Sequence, residues 1–258
     1  MARPVISLQL YTVRDHTNTD MLGALRRIAK IGYEGVELAG YGNASRDDVI
    51  STLQETGLKV TGAHVGLEAL QNDFKTVVSD SRALGNTFVI VPFLSEQYRG
   101  SREGWQETGE LLDGIGRMLR NEGLTLCYHN HDFEVKEKYG EGAEADCALD
   151  VLYQTASPEN LKAEIDCYWL EKGGKDAAAY IRKLAGRVPL VHLKDMGTDG
   201  SFKEVGEGSL SFPNIFNAAE EGDVQAYVVE QDVCPGDPFD SVKISLENLR
   251  DMGKLGSE

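Results

Sequence analysis

The chain has 258 residues, of which 41% are hydrophobic and 26% charged, with a formal net charge of −16. This is the composition of a globular chain with ample material for a core, and its acidity excludes a surface that attracts nucleic-acid phosphates or anionic lipid. No run approaches the ~20 apolar residues of a transmembrane helix, and Cys127, Cys147, Cys167 and Cys234 form no CxxC pair, so reduced thiols in a cytoplasmic protein are expected.

VISLQLYT (5–12) is β-branched and apolar and predicts the first strand; Ser7 and Gln9 interrupt it too early for a signal-peptide core. MLGALRRIAKIG (21–32) has helical periodicity and ends in glycine. GVELAG (35–40) predicts a strand and DDVISTLQETG (47–57) a helix closed by a left-handed glycine. KVTGAHV (59–65) is a strand, followed by a helix over 68–84. FVIVPFL (88–94) is a buried strand and WQETGELLDGIGRMLRNEG (105–123) a longer helix. The alternation continues with LTLCYHNH (124–131), CALDVLYQTA (147–156), LKAEID (161–166) and DAAAYIRKLAGR (176–187). VPLVHLKD (188–195), FPNIFNAAEEG (212–222), AYVVEQD (226–232) and SVKISLENLRDMG (241–253) complete it.

Eight strands, each followed by a helix, and with apolar rather than alternating patterns, predict a parallel sheet covered on both faces. The fold class is α/β, a single (β/α)8 TIM barrel occupying residues 1–258 as one domain. No G-x-G-x-x-G follows the first strand, which lowers a dinucleotide-binding reading.

In such a barrel the chemistry sits at the carboxyl ends of the strands. Those ends carry Gln9 and Tyr11, Glu37, His64, the pair His129 and His131 with Glu134 just beyond, Asp166, then His192, Lys194 and Asp195, and finally Glu230 and Asp232. Four of the five histidines fall there. Carboxylates converging on one mouth repel one another and need a counter-charge, which a divalent cation such as Mn2+, Mg2+, Co2+ or Zn2+ supplies. Each residue also has a plainer structural role to weigh. His64 and one of His129 and His131 fit hydrogen-bonded structural histidines. Asp195 fits a turn cap as well as a site residue, Asp232 fits a cap better, and Glu37 could face substrate or brace a loop. Lys194 lies two residues after His192, on the same strand face, and is placed in the pocket.

GYEGVELAG (32–40), YHNHDFEV (128–135), EIDCYWLEKGG (164–174), GRVPLVHLKD (186–195), VGEGSLSFPNI (205–215) and VVEQD (228–232) together resemble the sugar phosphate isomerase/epimerase family with a xylose-isomerase-like TIM barrel. The resemblance covers essentially the whole chain. It implies one divalent metal ion held by Glu134, Asp166, His192 and Glu230; the spacings of 32 residues from Glu134 to Asp166 and 26 from Asp166 to His192 suit successive βα units. An assignment with His129 or His131 as first ligand stays open. It further implies Glu134, Glu230 and His131 as the acid–base groups, and His129, Lys194, Trp169, Glu37, His64 and Gln9 against substrate. Trp169 stands where several ketose epimerases of the superfamily carry histidine, which speaks against simple ketohexose 3-epimerisation.

The activity so implied is a metal-dependent sugar isomerase or epimerase. It removes a proton beside a carbonyl through a metal-stabilised enediolate. A lyase or dehydratase of a keto-inositol or 3-keto-glycoside on the same site is the alternative, sharing the first step. A non-catalytic sugar-binding protein, and a phosphodiesterase like the endonuclease relatives of this barrel, fit less well; the latter needs more histidines and a DNA-attracting face. The expected partner is a small carbohydrate, with no nucleic acid and no membrane, and the resemblance allows a homo-oligomer. Gly206 and Gly208 could offer N–H groups to a phosphate, although a tight loop accounts for them better.

Overall fold

The computed structural model describes residues 3–142 and 145–255. Eight strands close into a parallel barrel: β1 Val5–Gln9, β2 Gly35–Leu38, β3 Lys59–His64, β4 Phe88–Val91, β5 Thr125–His129, β6 Leu161–Asp166, β7 Leu190–Leu193 and β8 Ala226–Val229. Each strand pairs with its neighbours in sequence, and β8 returns to β1 with Val5 opposite Ala226. The outer ring is α1 Arg14–Ile31, α2 Arg46–Thr56, α3 Phe74–Leu84, α4 Arg102–Asn121, α5 Ala148–Thr155, α6 Ala177–Lys183, α7 Phe212–Glu221 and α8 Pro238–Asp251.

All eight predicted strands form, because each carries an apolar outer face that the surrounding helices cover. Ile6, Leu8, Val36, Leu38, Val89, Val91, Ile165, Val191, Leu193 and Val229 face outward and pack beneath the helices in the main core. Their alternates face inward, where Ile90, Cys127, Leu190, Ala226 and Val228 fill the lower barrel. Above them Ser7 and Thr61 pair across the interior at 2.7 Å. The barrel is therefore packed below and polar only at its carboxyl end, as period-two alternation requires.

Two helices depart from expectation. α1 starts seven residues early and bends at Asp20, whose side chain caps the Gly23 N–H at 2.9 Å while Asn43 Oδ1 accepts Met21 N–H. The helix expected over 68–84 is two, Leu67–Asn72 and α3, because Asp73 adopts non-helical angles (φ −127°, ψ 31°). Short helices Phe133–Lys136 and Cys167–Lys172 follow β5 and β6 directly, and two small hairpins, Lys138–Tyr139 with Asp146–Cys147 and Asp195–Met196 with Phe202–Lys203, extend the loops. All four cysteines are free. Among the described residues no helix is long and apolar enough to cross a membrane.

Candidate active site

The inward positions at the carboxyl end form two stacked polar layers. In the lower layer Glu37 Oε1 accepts from Gln9 Nε2 at 2.6 Å and lies 2.8 Å from His192 Nε2 and 3.0 Å from His64 Nε2. Glu164 Oε2 lies 3.0 Å from His129 Nδ1 and 3.2 Å from both His64 Nε2 and His192 Nε2. The layer exists because β2 makes room for it: the register of β2 against β3 shifts between Val36 and Glu37, and Gly62 of β3 leaves space that a Cβ would fill 2.6 Å from Glu37 Oε2.

In the upper layer Glu230 Oε2 lies 2.9 Å from His192 Nδ1 and 2.9 Å from Lys194 Nζ. Asp166 Oδ2 lies 3.0 Å from Lys194 Nζ and 3.8 Å from His129 Nε2, and Asp232 Oδ2 lies 2.8 Å from the same ammonium. Asp166 is fixed from two sides. Its Oδ1 accepts the Trp169 N–H that starts the following short helix, and its backbone N–H donates to Asn130 Oδ1 just past β5.

Electrostatics separate these groups. Burial opposes charge on Glu37, but His192 and His64 outweigh it and hold its carboxyl well below the usual range. Burial likewise opposes charge on His192, but Glu164 and Glu37 prevail and raise it well above an ordinary imidazole; His64 rises to about 9 by the same balance. The Lys194 ammonium is buried yet kept charged by Asp166, Glu230 and Asp232. Burial raises Asp166 to about 6, while burial and the His192 and His64 charges beside it push His129 well below its usual value.

The structure brings Asp166, His192 and Glu230 together, and the group is completed by His129: one donor atom from each of the four lies within 4.8 Å of every other. A second set, His64, His129, Glu164 and His192, satisfies the same criterion one layer deeper. Glu134, expected at the metal, is placed elsewhere. Its carboxylate accepts from Tyr128 Oη at 2.5 Å and from the His131 N–H at 2.9 Å. Tyr128 precedes inward-facing His129 and therefore points out into the barrel–helix layer, taking Glu134 with it; burial there raises the Glu134 carboxyl to about 7. His129 of the YHNH stretch lies in that grouping instead.

Other expected residues sort by depth. Gln9 and Glu37 are fully buried and lie beneath the cavity, where Gln9 donates to Glu37 and Glu37 faces His64 and His192. His64, His129, His131, Lys194, Glu230 and Asp232 line a cavity of about 510 Å3 at the barrel mouth. Asp232, read as a cap, instead faces Lys194 there. Trp169 flanks it, with its ring 5.4 Å from the His131 ring and 5.5 Å below Lys194 Nζ. His131 Nδ1 is buried with no hydrogen-bond partner. Asp195 is a turn cap: it accepts N–H groups from Met196, Gly206, Gly208 and Leu210. The two glycine N–H groups considered for phosphate are thus already engaged. Glu164 was missed, although it sits two residues before Asp166 on the same strand face, and that spacing is its signal.

The residues fit a divalent cation. Two imidazoles and two carboxylates are an appropriate borderline donor set, and buried Asp166 Oδ2 accepts no hydrogen bond of good geometry despite the nearby ammonium.

The sequence model of a family described as xylose isomerase-like TIM barrel matches residues 25–252. An inosose dehydratase of Clostridium beijerinckii is 25% identical over 170 residues, covering 58% of this chain and 55% of that protein, so the chain spans little more than half the relative's length. A sugar phosphate isomerase/epimerase from Parabacteroides distasonis superposes with a TM-score of 0.85 at 21% identity, covering 99% of this chain and 96% of the other. The IolI protein, whose crystal structure holds a zinc atom, superposes with a TM-score of 0.73 at 14% identity, covering 98% and 100%. At these identities the structural likenesses establish the fold alone.

Proposed function

Because this chain belongs to the xylose isomerase-like TIM barrel family, we propose that it is a divalent-cation-dependent lyase that eliminates water or an alcohol from the carbon β to the carbonyl of a keto-cyclitol or keto-sugar. The observation that carries this reading is the buried His129–Asp166–His192–Glu230 group beneath a cavity that is also lined by Lys194 and the His131 imidazole. The cation, when bound, supplies a Lewis acid for charge developing on the carbonyl oxygen.

The remaining work falls to side chains of the chain itself. The His131 imidazole, which lines the cavity, takes the proton α to the carbonyl and returns it to the departing oxygen on the same face. The C–H and C–O bonds break, the C=C bond forms, and water or an alcohol leaves with the proton. Lys194 adds positive charge beside the developing oxyanion. Asp232 orients a substrate hydroxyl, and Trp169 offers a flat apolar wall to the ring.

Elimination is better supported than the isomerase or epimerase reading. Epimerisation by two carboxylates on opposite faces needs Glu134 in the cavity, whereas its carboxylate is engaged by Tyr128 behind the barrel wall. The dehydratase names of curated relatives point the same way. The substrate is unphosphorylated on this reading, since Asp195 occupies the glycine N–H groups.

The test incubates Mn2+-loaded protein in D2O with a keto-inositol and with a 3-keto-glycoside. The proposal expects an unsaturated ketone that has lost one molecule of water or alcohol. Recovery of an epimer carrying deuterium would replace it with the epimerase reading. Bound metal without exchange or product on any ketone would favour a binding protein.

A further inference from the structure

The site's two histidines offer opposite nitrogens to the upper layer. His129 directs Nε2 toward Asp166 and Nδ1 toward Glu164, whereas His192 directs Nδ1 toward Glu230 and Nε2 toward Glu37 and Glu164. A neutral imidazole has one lone pair, so the nitrogen that donates a proton cannot also bind a cation. The carboxylate behind each ring therefore decides which nitrogen is free.

We infer that Glu164 and Glu37 are positioning residues that lock His129 as the Nδ1–H tautomer and His192 as the Nε2–H tautomer, so that a cation is bound through His129 Nε2 and His192 Nδ1. His64 is the shared brace, because its Nε2 lies 3.0 Å from Glu37 and 3.2 Å from Glu164 and its ring stacks on His192 with an 8° interplanar angle. Gln9 anchors Glu37 from the far side. The lower set of donors is then a clamp and not a second cation site: a cation there would take the inner nitrogens of both rings and leave Asp166 and Glu230 without either imidazole.

This inference rests on the cation site proposed above. Three features favour the clamp. The lower layer lies beneath the His129 and His192 rings, its Glu37 and Glu164 carboxylates are fully buried, and every inner ring nitrogen is already within hydrogen-bond distance of a carboxylate. Carboxylates behind metal-bound histidines fix ring orientation and raise ligand basicity, and losing one typically weakens metal binding by about 10–100-fold.

The experiment uses full-length protein with 15N-labelled histidine, Zn2+ alone as probe, chelator competition for affinity, and long-range 1H–15N correlation for tautomers. In the Zn2+-loaded wild type, His129 should carry its proton on Nδ1 and His192 on Nε2. Glu164→Gln and Glu37→Gln should each bind Zn2+ about 10–100-fold more weakly, Glu164→Gln with a mixed His129 tautomer. A residue that only supports the fold would lower the melting temperature without moving tautomer or affinity. Zn2+ on the inner nitrogens, or affinities within about twofold of wild type for both folded variants, overturns the clamp while leaving the cation site standing. The wild-type tautomers decide the question even if a variant fails to fold. A wild type that binds no Zn2+ overturns both.

Discussion

Gly62→Ala probes how the barrel makes room for its polar layer. The glycine's φ is ordinary, so the substitution is a matter of space rather than backbone strain. A methyl there meets Glu37 Oε2 at 2.6 Å, Ile90 Cδ1 at 2.6 Å and Glu37 Cγ at 3.2 Å. Comfortable carbon contacts begin at about 3.5 Å, so Glu37 and Ile90 must each withdraw by close to an ångström. Ile90 lies in the closed interior of the barrel, and Glu37 is held by Gln9, His192 and His64. Overpacking costs about 1–3 kcal/mol, and loosening one charged hydrogen bond adds about 1.5 kcal/mol or more. The sum is about 2.5–4.5 kcal/mol, a fall in melting temperature of about 5–10 °C for a chain of this size. Thermal denaturation by circular dichroism reads it, with Gly114→Ala as control. Gly114 lies in α4 with nothing within 4 Å of an added Cβ, so alanine there should be neutral or stabilising by up to about 1 kcal/mol. A Gly62→Ala protein melting within about 2 °C of wild type would refute the argument that this glycine exists to admit the Glu37 carboxylate.

Lys194→Met removes the ammonium shared by Asp166, Glu230 and Asp232; it should cost about 3–5 kcal/mol in chelator-treated protein, and added Mn2+ should recover part of that loss in a thermal-shift assay. Asp150→Asn weakens the buried contact to Tyr180 at 2.8 Å and the part-exposed one to Lys183 at 2.7 Å, with an expected penalty of about 2–3 kcal/mol at pH 7 by urea denaturation. Burial opposes charge on Asp150, but hydrogen bonds from Lys183 and Tyr180 hold its carboxyl below the usual range; its stabilisation is therefore full above the unfolded value of about 3.9 and fades as pH falls toward the folded value, so the penalty should shrink below about pH 4. Asp195→Asn loosens the loop whose N–H groups it collects, and limited proteolysis should cleave within 196–210 several-fold faster.

The barrel was legible because every strand is a short apolar run and every connection a helix, a pattern that few other folds satisfy. Residues that extend an inward-facing strand register were legible too: Asp166, His192, Lys194 and Glu230 all continue the alternation into the mouth. Glu164 obeys the same rule but lies one inward position below Asp166, deeper than the mouth. Glu134 and Asp232 lie past their strands, where chain direction is set by loop packing. The outward turn of Tyr128 and the capture of Glu134 by its hydroxyl depend on what lies under the helices. The break at Asp73 is equally silent in sequence, since apolar periodicity runs through it.

The most direct measurement is anomalous diffraction from crystals of the protein grown with Zn2+. The account predicts a single peak at the barrel mouth bonded by His129 Nε2, Asp166, His192 Nδ1 and Glu230. A peak bonded by Glu134, or saturating Zn2+ with no peak among these four side chains, would contradict it.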